Sequence, residues 1–174
     1  MSLDPKELAS LWQASSAALT MLARARCRWP DDCVQEAFIK LSQQTVVPRD
    51  PVAWLSRVVR NEAISQWRSE SRRQRREVVA ATDRTQWFAS QDANAVHPLD
   101  AMQLAQAIES LDVEDREIVI AHVWTGLSFR QIADAFDLSL AMVHRRYHAS
   151  VEHLRTQLEK SSSGAHLRGC HVSE

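Results

Sequence analysis

Residues 128–158, SFRQIADAFDLSLAMVHRRYHASVEHLRTQL, predict two helices joined by a very short turn. Ser128 is suited to cap the first helix, and Gln131 three residues later completes a capping box. Ser139 is suited to cap the second helix, whose apolar stripe has helical spacing. That stripe consists of Leu140, Val143, Tyr147, Val151, Leu154 and Leu158. The pattern favours a DNA-binding helix-turn-helix, and its alternative is a plain helical hairpin in a bundle.

The opposite side of the second predicted helix is basic and polar near its start. We call this side the recognition face, and it consists of Ala141, His144, Arg145 and His148. Asp137 occupies the turn, where an aspartate tolerates the left-handed backbone conformation. An apolar back and a hydrogen-bonding front are the features that a helix in the major groove requires.

The composition predicts an all-α protein. The chain has 174 residues, of which 25% are charged and 45% hydrophobic, with only 3 Gly and 5 Pro. No apolar run approaches the roughly 20 residues that cross a bilayer, and the N-terminal sequence lacks the pattern of a secretory signal. The three scattered cysteines are typical of reduced thiols. We therefore expect a cytoplasmic protein with no membrane partner.

Three further helices are predicted near the N-terminus. Residues 5–28 form a helix or a helix pair, and Asp31 or Asp32 caps the next helix, whose stripe is Val34, Ala37, Phe38 and Leu41. The outer side of that helix keeps Asp32, Gln35, Glu36 and Lys40. The third helix starts near Pro51 and packs through Leu55, Val58, Val59, Ala63 and Trp67. Its other side, the arginine face, carries Arg57, Asn61, Arg68, Arg72 and Arg75.

The near-neutral net charge of −1 hides two oppositely charged segments. Residues 57–76 hold seven arginines against two acidic residues, a balance of +5, whereas residues 77–112 hold one arginine against six acidic residues, a balance of −5. Arginine's planar fork suits phosphate and base edges, although a charged surface helix is the alternative interpretation. One hypothesis is that the arginines meet acidic residues of the linker or second domain in the free chain, hiding the DNA-binding surfaces.

The helical periods divide the chain into two small helical domains joined by a flexible linker. The predicted bounds are 1–76 for the first domain, 77–99 for the linker and 100–160 for the helix-turn-helix domain, with a disordered tail over 161–174. Trp87-Phe88 is an isolated aromatic pair in the linker that either docks on a partner or packs back on a domain. Spacing alone indicates no catalytic arrangement.

Two parts of the sequence together resemble bacterial RNA polymerase sigma factors of the extracytoplasmic-function (ECF) class. DDCVQEAFIKL and PVAWLSRVVRNEAISQWRSESRR are similar to their second conserved region. LDVEDREIVIAHVWTGLSFRQIADAFDLSLAMVHRRYHASVEHLR is similar to their fourth region. The resemblance implies a promoter-specificity subunit that has no catalytic residue, cofactor or metal of its own.

The resemblance also implies a role for particular residues. Region two of the family docks on a coiled coil of the β′ subunit of core polymerase, with β as a further partner, and the matching residues are Asp32, Gln35, Glu36 and Lys40. The helix that opens and holds the minus-ten element of promoter DNA matches Arg57, Arg60, Asn61, Gln66, Arg68 and Arg72. The reader of the minus-thirty-five element matches Ser128, Arg130, Ala141, His144, Arg145, Arg146 and His148. The sequence leaves open whether an anti-sigma factor holds the chain inactive.

Two other interpretations remain at this point. A stand-alone helix-turn-helix regulator that binds duplex DNA as a dimer explains residues 100–160 but gives the arginine face no role. A metal or redox sensor would use His166, Cys170 and His171 of the tail as zinc ligands, and a tail with incidental histidines is the simpler interpretation. Cys27 and Cys33 are expected to be small apolar residues in or near the core.

Overall fold

The computed structural model describes residues 3–76 and 98–166, with side chains described for 3–73 and 102–160. These ranges contain seven helices and no strand: α1 Pro5–Arg24, α2 Pro30–Ser42, α3 Pro51–Arg76, α4 Pro98–Glu109, α5 Val113–Val123, α6 Phe129–Phe136 and α7 Leu140–His166. The predicted all-α class is confirmed. Within the described part of the chain, no helix is long and apolar enough to cross a membrane.

The first three helices pack together around one apolar core. α1 starts with a capping box between Asp4 and Glu7, in which the Asp4 backbone N–H donates to Glu7 Oε2 at 3.1 Å. α2 begins at Pro30, so the prediction that Asp31 or Asp32 caps it is wrong. A proline fits the first helical position because its missing N–H has no partner there. The fully buried centre of this core includes Leu19, Val34, Leu41, Leu55 and Val59.

Helices α4 to α7 form the second domain, and α6 and α7 are the predicted helix-turn-helix. Ser128 and Gln131 form the expected capping box at the start of α6. Asp137 ends that helix in the left-handed conformation, with a φ of 57°. At the start of α7 the Ser139 hydroxyl accepts from the Met142 N–H at 3.2 Å. Local sequence therefore predicts this turn correctly.

The two domains share an apolar core. Leu22 and Ala25 from the end of α1 pack with Ile118 of α5 and with Ile132 and Phe136 of α6, and all five side chains are buried. The start of α3 adds partly buried contacts through Val52 and Ala53. These contacts bring α5 and α6 against α1 and α3, so the arginine-rich helix lies beside the helix-turn-helix domain.

The predicted domain boundaries remain predictions, and the described helices end near some of them. α3 ends at Arg76 and α4 begins at Pro98, while α7 extends to His166, past the predicted start of the tail. Trp87-Phe88 of the linker, and Cys170 and His171 of the proposed zinc site, lie outside the described residues.

Candidate docking and DNA-binding surfaces

The outer side of α2 forms an exposed, mainly acidic surface. Asp32, Gln35 and Glu36 are exposed, and the opposite side of the helix is buried in the first core. The Lys40 ammonium bonds to Glu62 of α3 and lies 3.6 Å from Glu36 Oε1. The hydrogen bond with Glu62 is the main cause that raises the pKa of Lys40. The four predicted docking residues therefore share one surface, on which the lysine is already paired.

Two exposed apolar side chains on α2 or next to it were missed by the sequence analysis. Ile39 is 50% exposed, and it lies on the helix surface next to Gln35 and Glu36 because residues three and four apart are neighbours. Trp29 is 60% exposed just before α2, with the Arg28 guanidinium 5.5 Å from its ring. Ile39 lies outside the apolar stripe of α2, and this position in the sequence could have predicted that its side chain is exposed.

The arginine face of α3 is exposed where its side chains are described. Arg57, Asn61, Arg68 and Arg72 are exposed, whereas the side chain of Arg75 lies outside the described range. Gln66 is partly buried, and its Oε1 finds no hydrogen-bond partner among the described residues. These side chains leave a cationic strip that is available to a polyanion.

Trp67 departs from its predicted place. The helical period assigned it to the packing side of α3, but the side chain is 50% exposed, so that prediction is wrong. Leu55, Val59 and Ala63 fill the buried side of the helix nearer its start, in contact with α1 and α2. An exposed indole next to Arg68 offers a flat group on which a base can stack.

Arg60 points to the second domain instead of to solvent. Its Nε donates to Glu117 Oε2 of α5 at 2.9 Å, and its guanidinium lies 4.7 Å from the centre of the Phe136 ring. Its side chain is only 12% exposed. A carboxylate and an aromatic ring thus contact Arg60 from two elements of the helix-turn-helix domain. In DNA, the phosphate is likewise an anion and the base is likewise an aromatic ring.

Glu117 joins Arg60 to a second arginine from the first domain. Its side chain is 1% exposed, and it accepts from Arg26 Nε at 2.7 Å and from Arg26 Nη2 at 3.0 Å. This two-pronged geometry gives strong charge-assisted hydrogen bonds, and the bond to Glu117 is the largest cause that raises the pKa of Arg26. We call Arg26, Arg60 and Glu117 the interdomain ion cluster.

A second polar contact links the starts of two helices across the same interface. Asp50 Oδ1 accepts from the Ala53 N–H at 3.0 Å at the start of α3, while its Oδ2 accepts from Gln131 Nε2 of α6. Gln131 Oε1 in turn accepts from the Ser128 N–H at 2.7 Å. The capping residues of α3 and α6 therefore form one continuous hydrogen-bonded chain.

The recognition face of α7 is exposed. Ala141, His144, Arg145 and His148 all reach solvent, as do Ser128 and Arg130. Arg146, predicted as a minus-thirty-five contact, is instead held against α5 by Glu114 and lies 3.3 Å from Asp115 Oδ1. Six of the seven predicted positions are thus accessible, and the seventh is engaged by carboxylates.

Aromatic rings behind the recognition face support its histidines, and sequence reasoning did not identify them as a group. The Phe129 ring contacts the rings of His144 and Tyr147, with centroids 5.2 and 5.0 Å apart. His122 Nδ1 lies 2.7 Å from the Leu127 carbonyl oxygen, and its ring contacts Phe129. The Nε2 atoms of His144 and His148 are 3.3 Å apart. This packing fixes where the two histidines are presented.

Comparison with known proteins accounts for both domains. Residues 13–73 match the sigma-70 region 2 family and residues 101–154 match the sigma-70 region 4 family. The chain is 31% identical over 137 residues to the ECF RNA polymerase sigma factor SigL from three strains of Mycobacterium tuberculosis, covering 75% of each chain.

Two solved structures share the fold. One is the sigma factor RpoE in complex with the anti-sigma factor NepR from Bartonella quintana, with a TM-score of 0.68, 19% identity, and coverage of 87% of this chain and 95% of that one. The other is CnrH in complex with the cytosolic domain of CnrY, with a TM-score of 0.57, 20% identity and coverage of 90% of both chains.

The fold and the two family matches define a sigma factor, a protein that gives RNA polymerase its promoter-specific initiation. The chain belongs to the ECF family of RNA polymerase sigma factors. The region 2 match includes most of the arginine-rich helix α3. The hypothesis of a stand-alone regulator gives this helix no role.

Proposed function

We propose that this sigma factor docks on core RNA polymerase through α2 and contacts a bipartite promoter through α3 and α7. The observation that carries the proposal is the division of each helix into a buried apolar side and an exposed polar side. The exposed polar side holds the docking residues on α2, the arginine face on α3 and the recognition face on α7.

The three surfaces suit three different tasks. A mainly acidic surface with an exposed isoleucine on α2 complements a basic protein surface. Arginine side chains and an exposed tryptophan on α3 bind the phosphates and stack on the bases of a single-stranded minus-ten element. His144 and Arg145 on α7 present hydrogen-bond donors to base edges in the major groove of the minus-thirty-five element.

The docking assignment is tested with Asp32→Arg combined with Glu36→Arg. Both side chains are exposed, so we expect helicity to be unchanged while binding to purified core RNA polymerase is lost because the surface charge is reversed. Glu109→Arg combined with Glu152→Arg is the matched control, since both side chains are exposed on other helices. Unchanged core binding by the α2 variant would contradict the assignment.

The minus-thirty-five assignment is tested with His144→Ala and Arg145→Ala. We expect each variant to change the preferred sequence in a promoter library transcribed with core polymerase, because base-edge contacts carry the sequence information. Arg155→Ala is the control, since Arg155 is 71% exposed farther along the same helix. An unaltered sequence preference in both variants would remove the recognition face from the proposal.

An anti-sigma factor is a further proposed partner. The RpoE structure that shares this fold is a complex with such a protein. Separately, a contact of Arg60 with the minus-ten element requires Arg60 to leave Glu117, because its guanidinium is occupied in the described arrangement. A pull-down with core polymerase, followed by assays of open-complex formation and mapping of transcription start sites, tests the polymerase and promoter parts of the proposal. Failure to form open complexes on any promoter would refute them.

A further inference from the structure

Two thiols meet where α1 is joined to α2. Cys27 lies after the last residue of α1, Cys33 lies in the first part of α2, and their sulfur atoms are 3.4 Å apart. A disulfide has a sulfur–sulfur distance of about 2.05 Å. The two side chains therefore already face each other, and a small approach of the sulfur atoms suffices for a bond.

The two thiols have different environments. Cys33 is 0% exposed inside the first core, whereas Cys27 is only partly buried at the edge of that core. A hydrogen bond from the Cys33 thiol lowers the pKa of Cys27, and the same interaction together with burial raises the pKa of Cys33. Cys27 is therefore the more accessible and the more acidic of the two thiols, and Cys33 is the shielded one.

We propose that Cys27 and Cys33 form a peroxide-oxidised site in which Cys27 is oxidised first and Cys33 completes an intramolecular disulfide. The Cys27 thiolate attacks one oxygen of hydrogen peroxide, the O–O bond breaks, and Cys27 sulfenic acid and hydroxide form. The Cys33 sulfur then attacks the Cys27 sulfur and displaces that oxygen. The displaced hydroxyl group takes the Cys33 proton and leaves as water, and the hydroxide from the first step takes the proton that Cys27 lost when it ionised. Two thiols and one peroxide therefore give one disulfide and two waters.

The site lies between two functional parts of the molecule. Arg26, which belongs to the interdomain ion cluster, directly precedes Cys27. Asp32 of the proposed docking surface directly precedes Cys33. A bond between the two sulfurs would fix the end of α1 to the first part of α2, and it would do so next to both surfaces.

The test uses the full-length Cys170→Ser protein, so that only the two proposed thiols remain. The reduced protein is exposed to hydrogen peroxide, its free thiols are blocked with iodoacetamide, and its tryptic peptides are analysed by mass spectrometry. Arg28 lies between the two cysteines, so trypsin separates them unless a disulfide joins their peptides. We expect the joined peptide to accumulate with peroxide and to disappear with dithiothreitol. Two fully alkylated cysteines, or disulfides only between chains, would overturn the proposal.

Two further variants in the same background test the order of the steps. In Cys33→Ser, whose hydroxyl can still donate to the Cys27 sulfur, we expect Cys27 to stop at sulfenic acid, which dimedone labels, because the second thiol is missing. In Cys27→Ser we expect Cys33 to remain a thiol during the same exposure, because it is buried. Circular dichroism checks that both variants keep their helices. Oxidation of Cys33 in Cys27→Ser as fast as that of Cys27 in Cys33→Ser would refute the assigned order.

Discussion

A carboxylate removed from water needs donors to replace the hydrogen bonds it loses. Glu117 meets that need through three N–H groups, two from Arg26 and one from Arg60. The donors come from α3 and from the segment that follows α1, so the stability of this one side chain depends on contact between the two domains. Single-residue changes at this position therefore report on the interface.

Glu117→Gln is expected to lower the free energy of unfolding by about 3 kcal/mol, because it leaves two poorly exposed arginines without their anion. Urea unfolding followed by circular dichroism measures the change. Glu114→Gln is the matched control on the same helix, since its side chain is 49% exposed and its pair with Arg146 is a surface pair. We expect a change below about 1 kcal/mol for the control, and equal effects would argue against a buried ion cluster.

Trp67→Ala is expected to weaken binding of a single-stranded minus-ten oligonucleotide by about tenfold, because stacking on one aromatic ring contributes roughly 1–3 kcal/mol per base. The side chain is 50% exposed, so the stability of the fold should change little. Fluorescence anisotropy with the polymerase holoenzyme measures the binding. Trp29→Ala removes a 60% exposed tryptophan outside α3 and should leave DNA affinity unchanged. Equal losses in the two variants would contradict a specific role for Trp67.

At the scale of elements, two positive backbone angles shape the helix-turn-helix domain. Asp137 has a φ of 57° at the end of α6, and Gly126 has a φ of 71° between α5 and α6. Residues with a side chain adopt this conformation at a cost in free energy that glycine avoids. We therefore expect opposite effects on the free energy of unfolding when glycine is introduced at position 137 and when it is removed from position 126.

Asp137→Gly is expected to raise the free energy of unfolding and Gly126→Ala to lower it, each by about 1 kcal/mol. A Cβ atom added at Gly126 meets nothing within 4 Å, so the expected loss reflects the backbone conformation alone. Thermal and urea unfolding of the two variants measure the changes. A stabilised Gly126→Ala protein would contradict the left-handed assignment.

The elements that sequence predicted well are those set by neighbours along the chain. The capping box of Ser128 and Gln131 and the turn at Asp137 depend on contacts within a few residues, and both are found as expected. The start of α2 was misplaced because Pro30 fits the first helical position as well as it breaks a preceding helix. The place of Trp67 was misjudged because a helical period gives a side but not the length over which neighbouring helices cover it.

At the scale of the whole molecule, charge balance alone indicated that arginines could meet acids of the second domain. The particular acid, Glu117, lies outside the acidic segment 77–112 and directly precedes the apolar residues 118–121 of α5. Its contact with Arg60 joins residues 57 positions apart, and the contact with Arg26 joins residues 91 apart. Sequence spacing carries no information on such pairs. Glu117 directly follows three other charged residues, 114–116, so the local sequence does not mark it as the buried one.

In the described structure the two domains contact each other, and Arg60 is bound to Glu117. The proposed DNA contact of Arg60 therefore competes with this ion pair. Arg60 must give up its contacts with Glu117 and Phe136 before it binds DNA. Each 1.4 kcal/mol of free energy in those contacts lowers the affinity for DNA about tenfold. Glu117→Lys places a third cation beside Arg26 and Arg60, so we expect the domains to separate and the radius of gyration in X-ray scattering to increase. Affinity of the free protein for a single-stranded minus-ten oligonucleotide should rise with it.

Two controls make this expectation specific to the interdomain ion cluster. Glu114→Lys adds the same charge on an exposed position of α5 and should leave the protein compact. Arg60→Ala combined with Glu117→Lys should open the protein without the full gain in DNA affinity, because the released guanidinium is missing. A Glu117→Lys protein that stays compact would show that the apolar contacts of Leu22 and Phe136 hold the domains together without the ion cluster. Opening without any gain in affinity would instead remove Arg60 from the minus-ten surface.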